Sequence, residues 1–489
     1  MINNYLDSSK GQFILTQNAE FIVDGWNIQE KYSWLLSSHP SLPVLPILDE
    51  DDQHLGWILG YSIETQKSNL LFEHLYLDTR LYKGINTDLI ESMLNKIGGR
   101  FLVIILTNEI KRLYLDASGS LSAVYSLDRP VIASTPNLLE KKITRQDEST
   151  LKIIKQAMAS SGNWYPCSLT PLKQVKVLLP NHYIDLQNWH VKRHWPQKHI
   201  QQVSSNFKKN NNTIRSIVAI ITNHISAIAK HYPLHLNLTS GKDTRMLLAC
   251  SRNLVDSILF STSYNNNTNQ PDIVISKTLA EIFDLNYVVN PPNYIDRVLL
   301  TGFAGEVGRA FYWQDQDDNT KSIHPQDILI RLNYKEVHPI LIQELSSWLL
   351  ELPELNIFSI LDLMYIEQRL GCCMGRVMYS CDQISKFSLY PMNSRLLFEL
   401  MLNLPISYKK KKLMAKDVCE IAWSDLLDIP FHSLHFTGIL RYKKLFKYLC
   451  NLFLINSVEQ KEKNKKILYL IINDKLFLNN LLDKIIGYI

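Results

Sequence analysis

Ser240-Gly241-Lys242-Asp243-Thr244 combines small side chains, a lysine and a carboxylate in the middle of the run LNLTSGKDTRMLLA, Leu236 to Ala249. His235, Leu236, Asn237 and Leu238 alternate in the partly apolar pattern of a strand. Met246, Leu247, Leu248 and Ala249 begin an apolar helical face. A small-residue turn between such elements leaves unpaired backbone N–H groups at the positive end of a helix dipole, and that arrangement binds phosphate. Leu238, Ser240, Gly241, Lys242, Thr244 and Arg245 are therefore candidate nucleotide contacts. Asp243 in the same turn points to Mg²⁺ bridging to the phosphate oxygens. The run contains no G-x-x-x-x-G-K-[ST], so it is not a Walker A loop. A plain strand–turn–helix with one glycine in the turn is the alternative.

Two further loops fall where ligands collect, at the carboxyl ends of parallel strands. Ser261-Thr262-Ser263 follows the strand pattern SILFS, and its backbone and hydroxyls suit an adenine edge. Gly302-Phe303-Ala304-Gly305-Glu306-Val307-Gly308-Arg309 sets an acid and a base between glycines, where backbone can approach a ligand closely. Gly302 and Gly305 are candidate nucleotide contacts, Glu306 a candidate second Mg²⁺ ligand and Arg309 a candidate phosphate contact. Taken alone, this run also reads as a glycine-rich turn carrying surface charges.

The elements that must position these loops alternate along the chain. Thr213 to Lys230 reads as a helix, His235 to Leu238 as a strand, Thr244 to Arg252 as a helix and Ser257 to Ser261 as a strand. Ile273 to Phe283 is then a helix, and Tyr287 to Asn290 and Arg297 to Thr301 are strands. Such alternation predicts a parallel sheet with helices on both faces. From about Ile323 the pattern is almost wholly helical. The first 195 residues instead read as β-rich, with strands at Gly56–Ile63, Arg100–Leu106, Arg112–Asp116 and Val131–Ser134. Asn86–Lys96 reads as a helix with an Asn or Thr cap, and a strand pair covers Val175–Leu179 and Tyr183–Leu186. The polar stretch Gln197 to Asn212 reads as the boundary or linker.

A chain of 489 residues is too long for one ordinary core. Hydrophobic content of 46% with 20% charge is that of a globular protein, and a net charge of +5 is too small at this length to argue for nucleic acid. The basic runs Lys409–Lys412 and Lys461–Lys466 read as solvated faces. The seven cysteines form neither a C-x-x-C pair nor a zinc spacing and read as reduced core thiols. There is no signal-peptide pattern and no long apolar run, the nearest being Tyr448–Ile455, so a cytoplasmic protein without a membrane span is expected.

The order of the motifs resembles the asparagine synthetase family, including its β-lactam synthetase and lasso-peptide cyclase branches. Ser240 to Thr244 is similar to the SGGxDS pyrophosphate loop of the ATP pyrophosphatases, with Lys242 at the second glycine and Thr244 at the serine. Gly302 to Tyr312 is similar in spacing to the family's G-x-G-x-D-E-x-x-x-x-Y, with Glu306 at its metal-binding aspartate. Gly99-Arg100-Phe101, the strand RLYLD, Gly119, Tyr125 and Ile132-Ala133-Ser134 resemble the family's N-terminal strands. Thr170 to Leu186 with Trp195 resembles the stretch that closes that domain, and Tyr390-Pro391, Leu404-Pro405 and Lys416 resemble landmarks of its helical tail. The resemblance implies an α/β and α+β protein. A β-rich scaffold similar to the Ntn hydrolases would span 1–200, and a parallel-sheet ATP-pyrophosphatase domain with a helical tail would span 205–489.

The same resemblance implies ATP and Mg²⁺, AMP and pyrophosphate as products, a small-molecule or peptide carboxylate as substrate, and ammonia or an amine as nucleophile. A homodimer is left open. Glu367, with Arg369 in YIEQRLG, falls where the family's substrate-facing region begins, and Lys416 or Lys443 stands in for the lysine of a late R-x-K-x-G segment not found here. Residue 2 is Ile2, where glutamine-hydrolysing members carry a cysteine nucleophile, so no glutaminase is expected. Two alternatives stand beside the ligase: a non-catalytic homologue that binds a partner, and an RNA-modifying ATP pyrophosphatase.

Overall fold

The computed structural model describes residues 8–432, except 163, 197–206, 264–269, 292, 321 and 336. Ile2, Lys443, Cys450, Tyr448–Ile455 and Lys461–Lys466 lie outside the described residues. The protein is mixed α/β, and its chain gathers into two compact units. The first joins everything up to Leu234 with Asn293–Met414, and the second joins His235–Pro292 with the chain from Ala415 on.

The N-terminal part of the first unit holds two sheets. One has six strands, among them Phe13–Thr16, Asn27–Lys31, Trp34–Ser38, Val124–Ser126, Val131–Ala133 and Val175–Val177. The other has eight, centred on His54–Glu64, Ile97–Leu106 and Lys111–Leu115. The continuous apolar run FLVIIL is explained by burial on both faces. Leu102, Ile104 and Leu106 turn inward to Phe13, Leu15, Trp34 and Leu36 of the six-stranded sheet. Phe101, Val103 and Ile105, offset by one residue, turn outward to Leu89, Ile90, Met93 and Leu94. Those four residues are the apolar stripe of the helix Thr87–Lys96, whose start is capped by the Asn86 side chain on the Leu89 amide. The four strands before residue 50 and the helix Glu148–Ser161 add to the expected elements.

The rest of the first unit carries the parallel pair Tyr294–Leu300 and Ser385–Leu389, with Val298 opposite Phe387. Ser385–Leu389 corrects the expectation of an almost wholly helical C-terminal part. Its side chains are buried at four of five positions, which a strand satisfies in so short a run. The same part holds the helices Pro339–Leu350, Ile357–Leu363, Gly371–Asp382 and Arg395–Leu402, with a π-helical stretch, Met364–Leu370, between the second and third. The expected linker Gln197–Asn212 is corrected over its last residues, because the helix Phe207–Ala229 begins inside it.

In the second unit the expected alternation holds. The strand Leu234–Asn237 leads through the turn into the helix Lys242–Cys250, then to the strand Ile258–Thr262, the helix Gln270–Ile282 and the strand Tyr287–Val289. Ile258–Thr262 and Tyr287–Val289 pair in parallel, with Phe260 opposite Tyr287. The amide of Leu238 donates to the Ser261 carbonyl at 2.7 Å. The helix Met414–Trp423 adds its Cys419 and Trp423 to this unit, Trp423 packing edge-on against Phe283 at 4.8 Å. Six cysteines are free thiols, all buried or half-buried. Among the described residues no helix is long and apolar enough to cross a membrane.

Candidate functional site

The Ser240–Thr244 turn is built from backbone and hydroxyl groups. Gly241 stands at the N-cap of the nine-residue helix Lys242–Cys250 in extended geometry (φ −69°, ψ 160°), and no side chain caps that helix start. The helix starts two residues before the expected Thr244, so Lys242 and Asp243, expected in the turn, share its first turn with Thr244, all half-buried. A phosphate suits such a helix start, since an anion there meets both the amides and the dipole. Asp243, in the same first turn, suits a cation shared with that phosphate.

Two groups hold the turn that sequence reasoning did not single out. Oδ1 of Asp272 accepts from both the amide (2.9 Å) and the hydroxyl (2.6 Å) of Ser240. The amide of His432 donates to the Ser240 carbonyl at 3.1 Å. Asp272 carried one sequence signal, an acid in the first turn of the helix after the second strand; its partner lies 32 residues away. Inside the turn, Gly241 donates to the Thr239 hydroxyl at 3.1 Å, and the hydroxyls of Thr239 and Thr244 are 2.9 Å apart.

The neighbouring candidates are buried. Leu238 is fully enclosed, and its carbonyl accepts from the hydroxyls of Thr262 (2.6 Å) and Ser276 (3.0 Å). Ser261 bonds to His235 at 2.7 Å and donates to Asn237 at 3.3 Å. The Ser261 and Thr262 hydroxyls thus tie strands together. Arg245, expected at a phosphate, is fully buried. Its guanidinium donates to the carbonyls of Leu426 and Ile429 (both 3.0 Å) and Pro430 (3.3 Å), and it lies over the ring of Phe431. Burial pulls its pKa down to about 10. A role at a phosphate would require those bonds to break. Lys416 is exposed on its helix.

The Gly302–Arg309 loop belongs to the first unit and is built from side chains. Nη2 of Arg309 lies 3.0 Å from Oε1 of Glu306, and the Tyr365 hydroxyl donates to the other oxygen at 2.8 Å. The structure therefore brings the candidate metal ligand and the candidate phosphate contact together as an ion pair. Phe311 and Tyr312 pack against Tyr365 at 5.3 and 6.1 Å. Ala304 takes the left-handed conformation (φ 73°) that turns the chain into the Gly305–Gly308 segment. The glycine at 308 is required by packing: a Cβ there would come within 2.2 Å of Met414 Sδ.

Glu367 is fully buried and fully bonded. It takes a two-pronged pair from Arg193 (2.6 and 2.7 Å), the Asn181 amide at 2.9 Å and the Trp348 indole at 2.6 Å. Burial alone would raise its pKa; the Arg193 guanidinium and the other donors overcome this and hold it below the usual range. It touches no open space that a substrate would fill. Arg369, two residues on, lies 3.8 Å above the ring of Trp164.

The basic run Lys409–Lys412 is corrected in part. Lys411 and Lys412 are exposed, but Lys409 is enclosed as the ion-pair partner of Asp362, which also accepts from Trp313 at 3.1 Å. Among the described residues no group of three or more His, Cys, Asp or Glu is placed to hold a metal by itself. No family model and no curated protein matches this chain.

Proposed function

We propose that this chain is an ATP-dependent ligase of the asparagine synthetase type. It would join a carboxylate to ammonia or an amine through an acyl-adenylate, with AMP and pyrophosphate as products. The observation that carries the reading is the Ser240–Thr244 turn, a strand-to-helix connection ending in a helix start with no side-chain cap and an acid in its first turn. In this reading the substrate carboxylate attacks the α-phosphorus of ATP, and the amine then attacks the acyl carbon and displaces AMP. The protein supplies little covalent chemistry. Its contribution is position and charge: amides at the helix start for the leaving pyrophosphate and Lys242 for the charge that develops. Asp243 is a candidate Mg²⁺ ligand and Glu306 a second candidate; Mg²⁺ would neutralise charge on the triphosphate. For Glu306 that means exchanging Arg309 and Tyr365 for the metal.

The test is isotope exchange. With its carboxylate and Mg-ATP, and the amine withheld, the protein should exchange labelled pyrophosphate into ATP; with the amine added it should yield AMP. Production of ADP and phosphate would sink the mechanism. A second reading, a non-catalytic homologue that binds a partner, is favoured by the pairing of Glu306 with Arg309. It predicts Mg-ATP binding with no exchange across a broad panel of carboxylates.

A further inference from the structure

Ser240 has three polar groups, and each has a partner within the second unit. Its amide and hydroxyl converge on one oxygen of Asp272, and its carbonyl accepts from His432. The hydroxyl bond, at 2.6 Å, is in the range of charge-assisted O–H···O⁻ bonds. Ser240 is almost completely buried, so this carboxylate is no casual surface contact. The next amide, that of Gly241, is taken by the Thr239 hydroxyl, which is itself bonded to Thr244. The first half of the turn is thus closed by the protein's own acceptors. A phosphate oxygen reaching for the Ser240 amide would meet a carboxylate already seated on it, and two anions at one donor pair repel.

We infer that Asp272 is a positioning residue of the nucleotide turn: it, and not a phosphate, is the acceptor for Ser240, so phosphate recognition falls to the helix start at Lys242–Thr244. This rests on the ATP-pyrophosphatase reading above. It reassigns Ser240 from ligand contact to scaffold and makes Asp272 the residue that fixes the angle at which the turn enters its helix.

The test is calorimetric titration of the full chain with Mg-pyrophosphate and Mg-ATP, well below the melting temperature. Asp272→Ala, which frees both Ser240 donors, should weaken both probes by about tenfold or more, because the backbone-amide bond that Ser240→Ala keeps is lost together with the hydroxyl bond. Asp272→Asn keeps an acceptor oxygen and should bind within about threefold of the unchanged protein, and so should Ser240→Ala, whose hydroxyl serves Asp272 alone. A merely structural role would lower the melting temperature of Asp272→Ala and leave its pyrophosphate affinity unmoved, which would overturn the inference. Tighter binding by Asp272→Ala, or a tenfold loss in Ser240→Ala, would also overturn it by showing that phosphate and Asp272 compete for Ser240. Should Asp272→Ala fail to fold, Asp272→Glu, which keeps the charge and shifts the oxygen by one methylene, carries the same tenfold expectation. If the unchanged protein binds neither probe, the nucleotide reading itself falls and takes this inference with it. Binding by the unchanged protein with flat variants removes only the inference.

Discussion

The Ser240–Thr244 turn and the Gly302–Arg309 loop with its Glu367 neighbourhood satisfy their polar groups by different means. The turn relies on backbone: amides, carbonyls and short hydroxyls bonded within it, with one distant carboxylate, Asp272, and one distant amide, His432, holding it. The loop relies on long charged side chains that neutralise each other, Glu306 with Arg309, and the same unit repeats the device outside the loop in Glu367 with Arg193 and Asp362 with Lys409. A backbone turn keeps its shape when one side chain is changed, and it suits a ligand of fixed geometry such as pyrophosphate. A charge pair depends on both members, and its strength is set by burial. That dependence ranks the expected effects of changing it.

The largest effect falls at Glu367. Glu367→Gln removes the charge from a fully buried site and leaves the Arg193 guanidinium, side chain 9% exposed, without its counter-ion. Breaking one side of such a pair costs about 3–5 kcal/mol, which denaturant unfolding would read directly. A loss below about 1 kcal/mol would mean that the pair is solvated, and the contrast with the Glu306–Arg309 pair would disappear.

The next effect is a pH dependence in the same unit. His224 is fully buried, with Nδ1 2.6 Å from the Pro391 carbonyl and Nε2 3.0 Å from the Thr65 hydroxyl. These partners suit the neutral ring, which donates through Nδ1 and accepts at Nε2. Burial pulls its pKa down to about 4 from 6.5, against a smaller upward pull from the Pro391 carbonyl. Because the folded pKa lies below the unfolded one, the unfolded chain binds the extra proton in this window. The contribution is whole above pH 6.5 and is lost as pH falls towards 4. At about 1.4 kcal/mol per pKa unit the loss approaches about 3 kcal/mol, and unfolding measured across that range should lose part of its slope in His224→Gln, the rest remaining with His194, which burial also pulls down to about 4. An unchanged slope would show that His224 is protonated without unfolding.

The smallest stability effect falls at Glu306, whose side chain is 19% exposed and whose partner Arg309 is 13% exposed. Glu306→Gln keeps the hydrogen bond from Tyr365 and should cost no more than about 1 kcal/mol. On the ligase reading the same change should nevertheless abolish pyrophosphate exchange. Full exchange in Glu306→Gln would remove it from the metal site, and a loss of stability like that of Glu367 would place the two in one class.

Much of the frame was legible because it depends on local pattern. Alternation placed the strand before the turn and the helix after it, an Asn or Thr cap marked the helix at Asn86–Lys96, and RFLVIIL announced a strand. The elements missed include the four strands before residue 50 and Ser385–Leu389, whose five residues read as easily as helix, and also the longer helix Glu148–Ser161. For the site, sequence alone determined that a small-residue turn carrying an acid leads from a strand into a helix, since spacing and small side chains dictate it; that the helix already begins at Lys242, with Asp243 in its first turn, came from the structure. Tertiary structure decided what each side chain does. Asp272 reaches Ser240 across 32 residues, Arg245 turns to carbonyls some 180 residues away, and Glu367 is enclosed by Asn181, Arg193 and Trp348. Whether a charge is held by solvent, by a ligand or by another part of the same chain depends on burial and on partners distant in sequence, and neither is written in the local run of residues.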